Sequence, residues 1–255
     1  MRIATFNVNS VRRRVPHLRR FLQRHGPDLV FLQETKCRSE EFPQLDFADT
    51  GYRVHPLGQQ GGRNGVAVLG RIPFEVTAEA LPGEAEDNQA RFLEVAAAGI
   101  RLAGIYLPNG NSGGDDGFAY KLRWMERLGA WVRDRLDAFE PCAVLGDFNV
   151  CPTDADFAPG ALPPTDALVR PESRARFRAL LHAGMTDALQ ALHPADAPYT
   201  YWDYGPAFES NRGLRIDHIL LSPELAERLA NCGVDLKARS EEQPSDHAPV
   251  WCDLS

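Results

Sequence analysis

Residue types that bind metals or move protons recur where apolar runs of this chain stop. The run at 2–8 closes on Asn7 and Asn9, that at 28–33 on Gln33 and Glu34, and that at 100–106 on Tyr106, with Asn109 just beyond. The run at 142–148 holds Asp147, with Asn149 next to it; Asp217 lies in the run at 216–222, and Asp246 and His247 immediately precede the one at 248–254. Ligands gathered at strand ends from distant points in a chain are what an α/β enzyme site requires. Glu34, Asp147, Asp217 and Asp246 each stand beside apolar residues, where an unpaired charge is costly unless a cation or hydrogen bonds compensate it. Oxygen donors suit a hard metal: Mg²⁺ takes one or two carboxylates plus water and substrate oxygens, and Glu34 with Asn7 and Asp147 could supply them. Any one of these carboxylates can equally cap a turn. Four together are harder to explain that way.

His247 follows an aspartate, and an aspartate that orients or polarises an imidazole recurs in hydrolysis. Adjacent residues of an extended strand face opposite ways. Asp246 therefore pairs with His247 only if Pro244-Ser245 bend the chain; otherwise another carboxylate, such as Asp217, is the partner. His17, His25, His55 and His218 read as surface or packing residues.

The elements that must position these groups follow from periodicity. Apolar runs at 65–70 and 92–96 join those above as strands. Helical spacing appears at 12–25, through Val15, Leu18, Phe21 and Leu22, and at 118–139, through Leu122, Met125, Leu128, Val132 and Leu136, a helix that reads as strongly exposed. Strands mixed with helices give the α/β class. The proline-rich segment 151–171 is expected to be a long surface loop. No linker-like composition shift divides the 255 residues, so one domain over 1–255 is expected. With 28 basic against 35 acidic residues the net charge is −7, which excludes a generally basic DNA-coating protein but not a local basic face. The five cysteines are scattered, without CxxC or zinc-like spacing, as a reducing cytosol would favour. The strand-like run that starts at Arg2 leaves no room for a signal peptide, and no apolar stretch approaches the roughly 20 residues that span a bilayer. A soluble cytoplasmic protein with no membrane partner is expected, and no heptads or apolar patch suggest anything but a monomer.

In order along the chain, Asn7-Val8-Asn9-Ser10, Leu32-Gln33-Glu34-Thr35-Lys36, Tyr106-Leu107-Pro108-Asn109-Gly110, Gly146-Asp147-Phe148-Asn149, Arg215-Ile216-Asp217-His218 and Ser245-Asp246-His247-Ala248-Pro249-Val250 resemble the motifs of the endonuclease/exonuclease/phosphatase superfamily. Within it the likeness is to its exonuclease III-like abasic-site endonucleases, and it runs from residue 2 to residue 252. The resemblance implies a four-layered α/β sandwich, two mixed sheets face to face with helices outside, and a metal site at one end. It makes Glu34 the principal Mg²⁺ ligand beside Asn7, with Mn²⁺ tolerated, and adds Asp147, Asn149, Asp246 and His247 as candidate ligands. Asp147 is similar to the group that activates water or protonates the leaving oxygen. Asn149 resembles the donor that orients the nucleophile, and Tyr106 the phenol that contacts the scissile phosphate. Asp217 and Asp246 resemble carboxylates that support the histidine or a second metal, and His247 a phosphate contact or base. Some relatives carry aspartate where this chain has Asn9, so a metal contact from that position would be neutral and weaker.

Charge neutralisation, a generated nucleophile and leaving-group stabilisation are what an anionic phosphodiester needs in any case. Substrate choice must come from the rim. Arg12, Arg13, Arg14, Arg19, Arg20 and Arg24 crowd one helix next to Asn9, as phosphate contacts or as a solvated face. The loops at 61–65 and 109–114 suit groove contact, or simply make turns. Tyr199-Thr200-Tyr201-Trp202-Asp203-Tyr204 and Asn211-Arg212-Gly213-Leu214-Arg215 resemble the family segment that receives a base-less sugar flipped from the duplex. Tyr201, Trp202, Leu214 and Ile216 are the pocket candidates, with Asn211 beside them; Trp202 and Ile216 could instead be core. The expected activity is Mg²⁺-dependent incision of duplex DNA 5′ to abasic sites, with removal of nucleotides or blocking groups from 3′ ends. The alternatives are a superfamily phosphatase or phosphodiesterase for small or lipid-linked phosphoesters, and a catalytically silent DNA-binding paralogue.

Overall fold

The computed structural model describes residues 1–255. The chain runs β1 (Arg2–Asn7), α1 (Val11–His25), β2 (Leu29–Gln33), β3 (Arg53–Leu57), β4 (Val66–Gly70), β5 (Glu75–Ala78), β6 (Phe92–Ala97), β7 (Ile100–Tyr106) and α2 (Gly114–Asp137). It continues through β8 (Cys142–Asp147), α3 (Pro171–His182), β9 (Thr186–Asp187), α4 (Ala188–Leu192), β10 (Asp217–Leu221), α5 (Pro223–Glu227), β11 (Leu229–Val234), α6 (Leu236–Arg239) and β12 (Val250–Leu254).

Twelve strands form two six-stranded mixed sheets, ordered β11-β12-β1-β2-β4-β3 and β5-β6-β7-β8-β10-β9. Side chains alternate across each strand, so every interior strand feeds two cores. Ile3, Leu29 and Phe31 meet Leu102, Ala143 and Leu145 between the sheets. Their neighbours Ala4, Phe6, Val30 and Leu32 turn outward onto Leu18 and Phe21 of α1. On the other flank Ile105, Val144 and Leu220 receive Trp124, Leu128 and Val132 of α2 and Phe177 of α3. The result is the expected helix–sheet–sheet–helix sandwich. Its sheets approach so closely at Gly104 that a Cβ there would lie 2.1 Å from the Phe31 ring.

Two expectations change. The second helix spans 114–137 rather than 118–139, and it is not strongly exposed, because Trp124, Met125, Leu128, Trp131 and Val132 are buried under it. Segment 151–171 is irregular apart from one short turn, yet Cys151, Asp156, Ala167 and Leu168 are buried, so it is a wall of the molecule more than a surface excursion. No helix is long and apolar enough to cross a membrane.

The helices α1 and α2 each connect a parallel strand pair, β1 to β2 and β7 to β8. The carboxyl ends of these four strands therefore face the same way, as crossover units demand. Antiparallel β10 and β12 begin where β8 and β1 end, with Asp217 opposite Asp147 and Val250 opposite Thr5. Six strand termini thus meet at one end of the sandwich.

Candidate active site

Several residues at these strand ends leave regular geometry in the left-handed region, among them Asn9 (φ 39°), Glu34 (φ 52°), Lys36 (φ 51°) and Asn149 (φ 48°). Such conformations cost roughly 1–3 kcal/mol each for a residue with a Cβ and persist where surroundings over-determine them. Gly146 shows the constraint most sharply: a Cβ there would lie 2.0 Å from the Ile105 carbonyl oxygen, so only glycine lets β8 deliver Asp147.

Asn7 donates from its amide nitrogen to Glu34 Oε1 (2.8 Å) and Asp147 Oδ2 (3.0 Å), while its oxygen accepts the Asn9 backbone N–H. As placed, it bridges the two carboxylates by donation. Lys36 Nζ reaches Glu34 Oε2 at 2.7 Å and donates to Asn9 Oδ1 at 2.6 Å. Burial alone would raise the Glu34 carboxyl, but Lys36, Asn7 and His247 outweigh it and hold it below its ordinary value. Burial raises the Tyr106 phenol well above its usual value, and the Glu34 and Asp147 charges add to that, leaving a neutral O–H donor. Arg91 lies over its ring, 4.6 Å from the centroid.

Asp147 is 1% exposed; its Oδ1 accepts the Asn149 N–H at 2.9 Å, and its Oδ2 lies 3.8 Å from His247 Nε2. Burial pushes its carboxyl up, Asp217 and Glu34 push the same way, and His247 opposes them. The partner of the His247 imidazole is Asp217, whose Oδ2 lies 2.8 Å from Nδ1 and also accepts the Thr200 hydroxyl at 2.7 Å. Burial would lower His247, but Asp217, Asp147 and Asp246 prevail and raise it to about 10. Asp246 points the other way, its Oδ1 accepting from Asn9 at 3.0 Å.

Among the acidic and histidine ligand candidates, Glu34, Asp147 and His247 place atoms within 4.8 Å of one another; Asp217 and Asp246 stand outside that group. The donor set makes a metal-capable acidic site. Two carboxylates suit a hard divalent cation, and with Nδ1 engaged by Asp217 the imidazole turns Nε2 towards Asp147. Asn149 turns its amide nitrogen to the Leu107 carbonyl (2.9 Å) and its oxygen to Asn109 (2.9 Å), so the two asparagines form one unit at the mouth.

Glu34, Tyr106, Asn109, Asp147, Asn149, Asp246 and His247 line a cleft of about 640 Å³, whose far side is an apolar wall of Leu162, Leu168, Tyr201, Leu214 and Ile216. Trp202 and Asn211, expected at this pocket, do not line it. Trp202 is 2% exposed, packs edge-on against Phe208 at 5.1 Å and donates its indole N–H to Asn211 Oδ1 at 3.3 Å. Trp202 thus braces the 203–212 loop from behind, through Phe208 and Asn211. Arg212 and Tyr204 occupy the rim instead, the Tyr204 hydroxyl accepting from Asn9 and from Arg14, each at 3.0 Å.

Most arginines of α1 are engaged within the fold. Arg19 pairs with Asp49, Arg20 with Glu241, and Arg24 with Asp235 and Glu241, while Arg14 is buried on Tyr204 and the Pro244 carbonyl. Arg12, Arg13 and Arg20 are the exposed members of the six; Arg20 is held by Glu241, and Arg12 lies 3.9 Å from Glu41. Three supporting residues escaped the reading of the sequence. Lys36 lies inside a quoted motif but had no assigned role. Arg215 sends its buried guanidinium to Asp156 and Asp187, both at 2.6 Å, where His218 also joins Asp187 at 2.9 Å. Lys121, with burial pulling its ammonium down to about 7, donates only to backbone carbonyls.

A phosphoester hydrolase is the class that this sandwich and its strand-end carboxylates define, and residues 4–247 match the Endonuclease/Exonuclease/phosphatase family, to which the chain belongs. It is exonuclease III-like. It is 34% identical to exodeoxyribonuclease III of Haemophilus influenzae, with 100% of both chains covered. The 3′ phosphatase NExo from Neisseria, bound to a product DNA hairpin, superimposes with a TM-score of 0.94 at 36% identity, covering 100% of this chain and 99% of that one. An AP endonuclease from Archaeoglobus fulgidus does so at 0.93 and 35% identity, again covering 100% and 99%.

Proposed function

We propose that this chain is a Mg²⁺-dependent DNA repair nuclease that cuts the phosphodiester 5′ to an abasic site and trims nucleotides or blocking groups from 3′ ends. The observation that carries the reading is the junction, in one cleft, of the Glu34–Asp147–His247 group with the apolar wall of Tyr201, Leu214 and Ile216. A base-less sugar is cheap to extrude and offers an apolar face, which such a wall can receive. Relatives that bind DNA or are named for abasic sites support this choice over small phosphoesters.

Glu34 and Asp147 would hold the cation, which when bound would neutralise phosphate charge and act as a Lewis acid there. The remaining work falls to side chains. His247, kept protonated by Asp217, is a donor to a non-bridging phosphate oxygen and not the base. Asp147, whose Oδ1 is fixed by the Asn149 N–H, takes the proton of the attacking water in its ionised form. Water adds to phosphorus, the bond to the 3′-oxygen breaks, and that oxygen leaves as a hydroxyl by taking a proton from solvent, while the proton that Asp147 took from water returns to solvent. Tyr106 and the Asn109–Asn149 pair supply neutral donors to the phosphate. Exposed Arg12 extends the grip along the duplex backbone, beside half-buried Asn9. Every group comes from one chain, so a monomer suffices, and five unpaired cysteines suit a cytoplasmic setting.

The test is cleavage of a labelled duplex carrying one abasic-site analogue, beside an undamaged blunt duplex, with Mg²⁺ or EDTA. Metal-dependent incision at the analogue, lost by at least about a thousandfold in Asp147→Asn, is expected. No cleavage of either duplex, with turnover of small phosphoesters instead, would overturn the DNA reading.

A further inference from the structure

Lys121 on α2 is fully buried, and no carboxylate pairs with it. Its Nζ donates to the carbonyl oxygens of Asn109 (2.9 Å), Asn149 (2.6 Å) and Ala167 (3.3 Å). These belong to three separate segments, following β7, following β8, and at the end of the 151–171 wall. An ammonium has three donors diverging from one atom, the one side-chain group able to satisfy three carbonyls at a single vertex. Its stem is equally confined: a Cβ on Gly110 would lie 2.6 Å from Lys121 Cδ. Two of the three carbonyls belong to the asparagines that line the cleft, and the third precedes Leu168 of the apolar wall.

We propose that Lys121 is a positioning residue for the hydrolysis, its ammonium holding the Asn109–Asn149 phosphate grip and the Leu168 wall in one frame. This rests on the nuclease reading above. Without the ammonium the three carbonyls separate or admit water, and the grip shifts relative to the sugar pocket. Displacements near 1 Å at a reacting centre can cost about a hundredfold in rate. Lys121 touches no substrate, so the loss is exerted through the asparagines.

The experiment compares wild type, Lys121→Met, Asn109→Ala and the double variant on the abasic-analogue duplex. Lys121→Met should lower kcat at least about tenfold with KM within about threefold, and the double variant should be little worse than the poorer single one. Ser173→Ala removes a different donor to the same Ala167 carbonyl (2.7 Å) and should leave kcat within about twofold, which separates loop anchoring from asparagine positioning. If Lys121→Met does not fold, Lys121→Gln, which keeps two donors, replaces it; failure of both to fold would make Lys121 a folding residue and end the proposal. A folded variant with wild-type kcat, or losses that simply add in the double variant, would also overturn it. A wild-type chain that cuts nothing would sink the nuclease reading instead, and is seen in the same assay.

Discussion

Asp217→Asn tests the division of labour between the two groups nearest the reacting phosphate. In the native site the His247 imidazole is raised from 6.5 to about 10, against a burial effect that would lower it. That rise corresponds to roughly 5 kcal/mol at about 1.36 kcal/mol per pH unit. Its sign is that of a raised base: the stabilisation is complete below pH 6.5 and is lost as pH climbs through about 10. Asp217 is the largest favourable contributor, through a 2.8 Å contact between buried groups. Asparagine preserves the shape and an acceptor for Nδ1–H. It removes the charge, and it places an amide nitrogen where Asp217 Oδ1 already lacks a partner. His247 should then titrate about 1–3 pH units lower. The variant should therefore lose activity relative to wild type as pH rises from about 6 to about 8.5, because its imidazole gives up the proton there while the native one keeps it. Single-turnover cleavage of the abasic duplex at saturating Mg²⁺ reads this directly, and the histidine NMR titration of the metal-free protein reads the imidazole itself. A variant whose rate runs parallel to wild type across that range would refute the donor role of His247 and return it to candidacy as the base.

Two further outcomes follow from the same geometry. Arg215→Met leaves Asp156 and Asp187 buried without their cation and should destabilise the fold by about 3–5 kcal/mol at pH 7. Burial would raise Asp187, but Arg215 and His218 hold it well below its ordinary value, so its native contribution is present above about pH 4 and lost as pH falls further; in the variant the carboxyl rises, and the deficit measured by urea unfolding should shrink between pH 7 and pH 4.5, an equal deficit at both being the refuting result. Mg²⁺ should raise the melting temperature of the wild type, by an amount equivalent to about 2.7 kcal/mol at a hundred times its dissociation constant, and Glu34→Gln should lose most of that rise; an undiminished shift in the variant would move the metal away from Glu34.

What could be read from the sequence divides along a physical line. The eight runs taken for strands are the interior strands of the two sheets, β12, β1, β2 and β4 in one and β6, β7, β8 and β10 in the other. Interior strands are covered on both faces and read as continuous apolar runs. The four that went unread, β11, β3, β5 and β9, are the four sheet edges. There exposed Glu75 and Thr77 alternate with partly exposed residues, Ala230 and Asn231 are both exposed, and Pro56 interrupts β3 where an edge tolerates it.

The site obeys the same alternation, and that explains which of its members could be found. Leu214 and Ile216 both face the cleft, so Arg215 between them must turn inward, where it needs Asp156 and Asp187 from elsewhere in the chain. Tyr201 faces His247, its ring centroid 5.0 Å away, so Trp202 cannot line the same pocket. His247 turns towards Asp147 and Asp217, and Asp246 therefore meets Asn9 instead. Motifs locate such neighbours together, but the strand sorts them into those that meet substrate and those that hold the frame. Lys121 shows where that logic stops. On a helix face it reads as one more solvated cation, and its role exists only because three carbonyls from 12, 28 and 46 residues away converge on it. The arginines of α1 make the converse case: their charge was plain, but Asp49, Asp235 and Glu241, far along the chain, neutralise Arg19, Arg20 and Arg24 and leave the basic contribution of the helix to the turn nearest Asn9. A phosphate backbone laid across this helix would therefore find its partners at Arg12 and Arg13, beside the metal-capable end of the cleft, and not along the whole face.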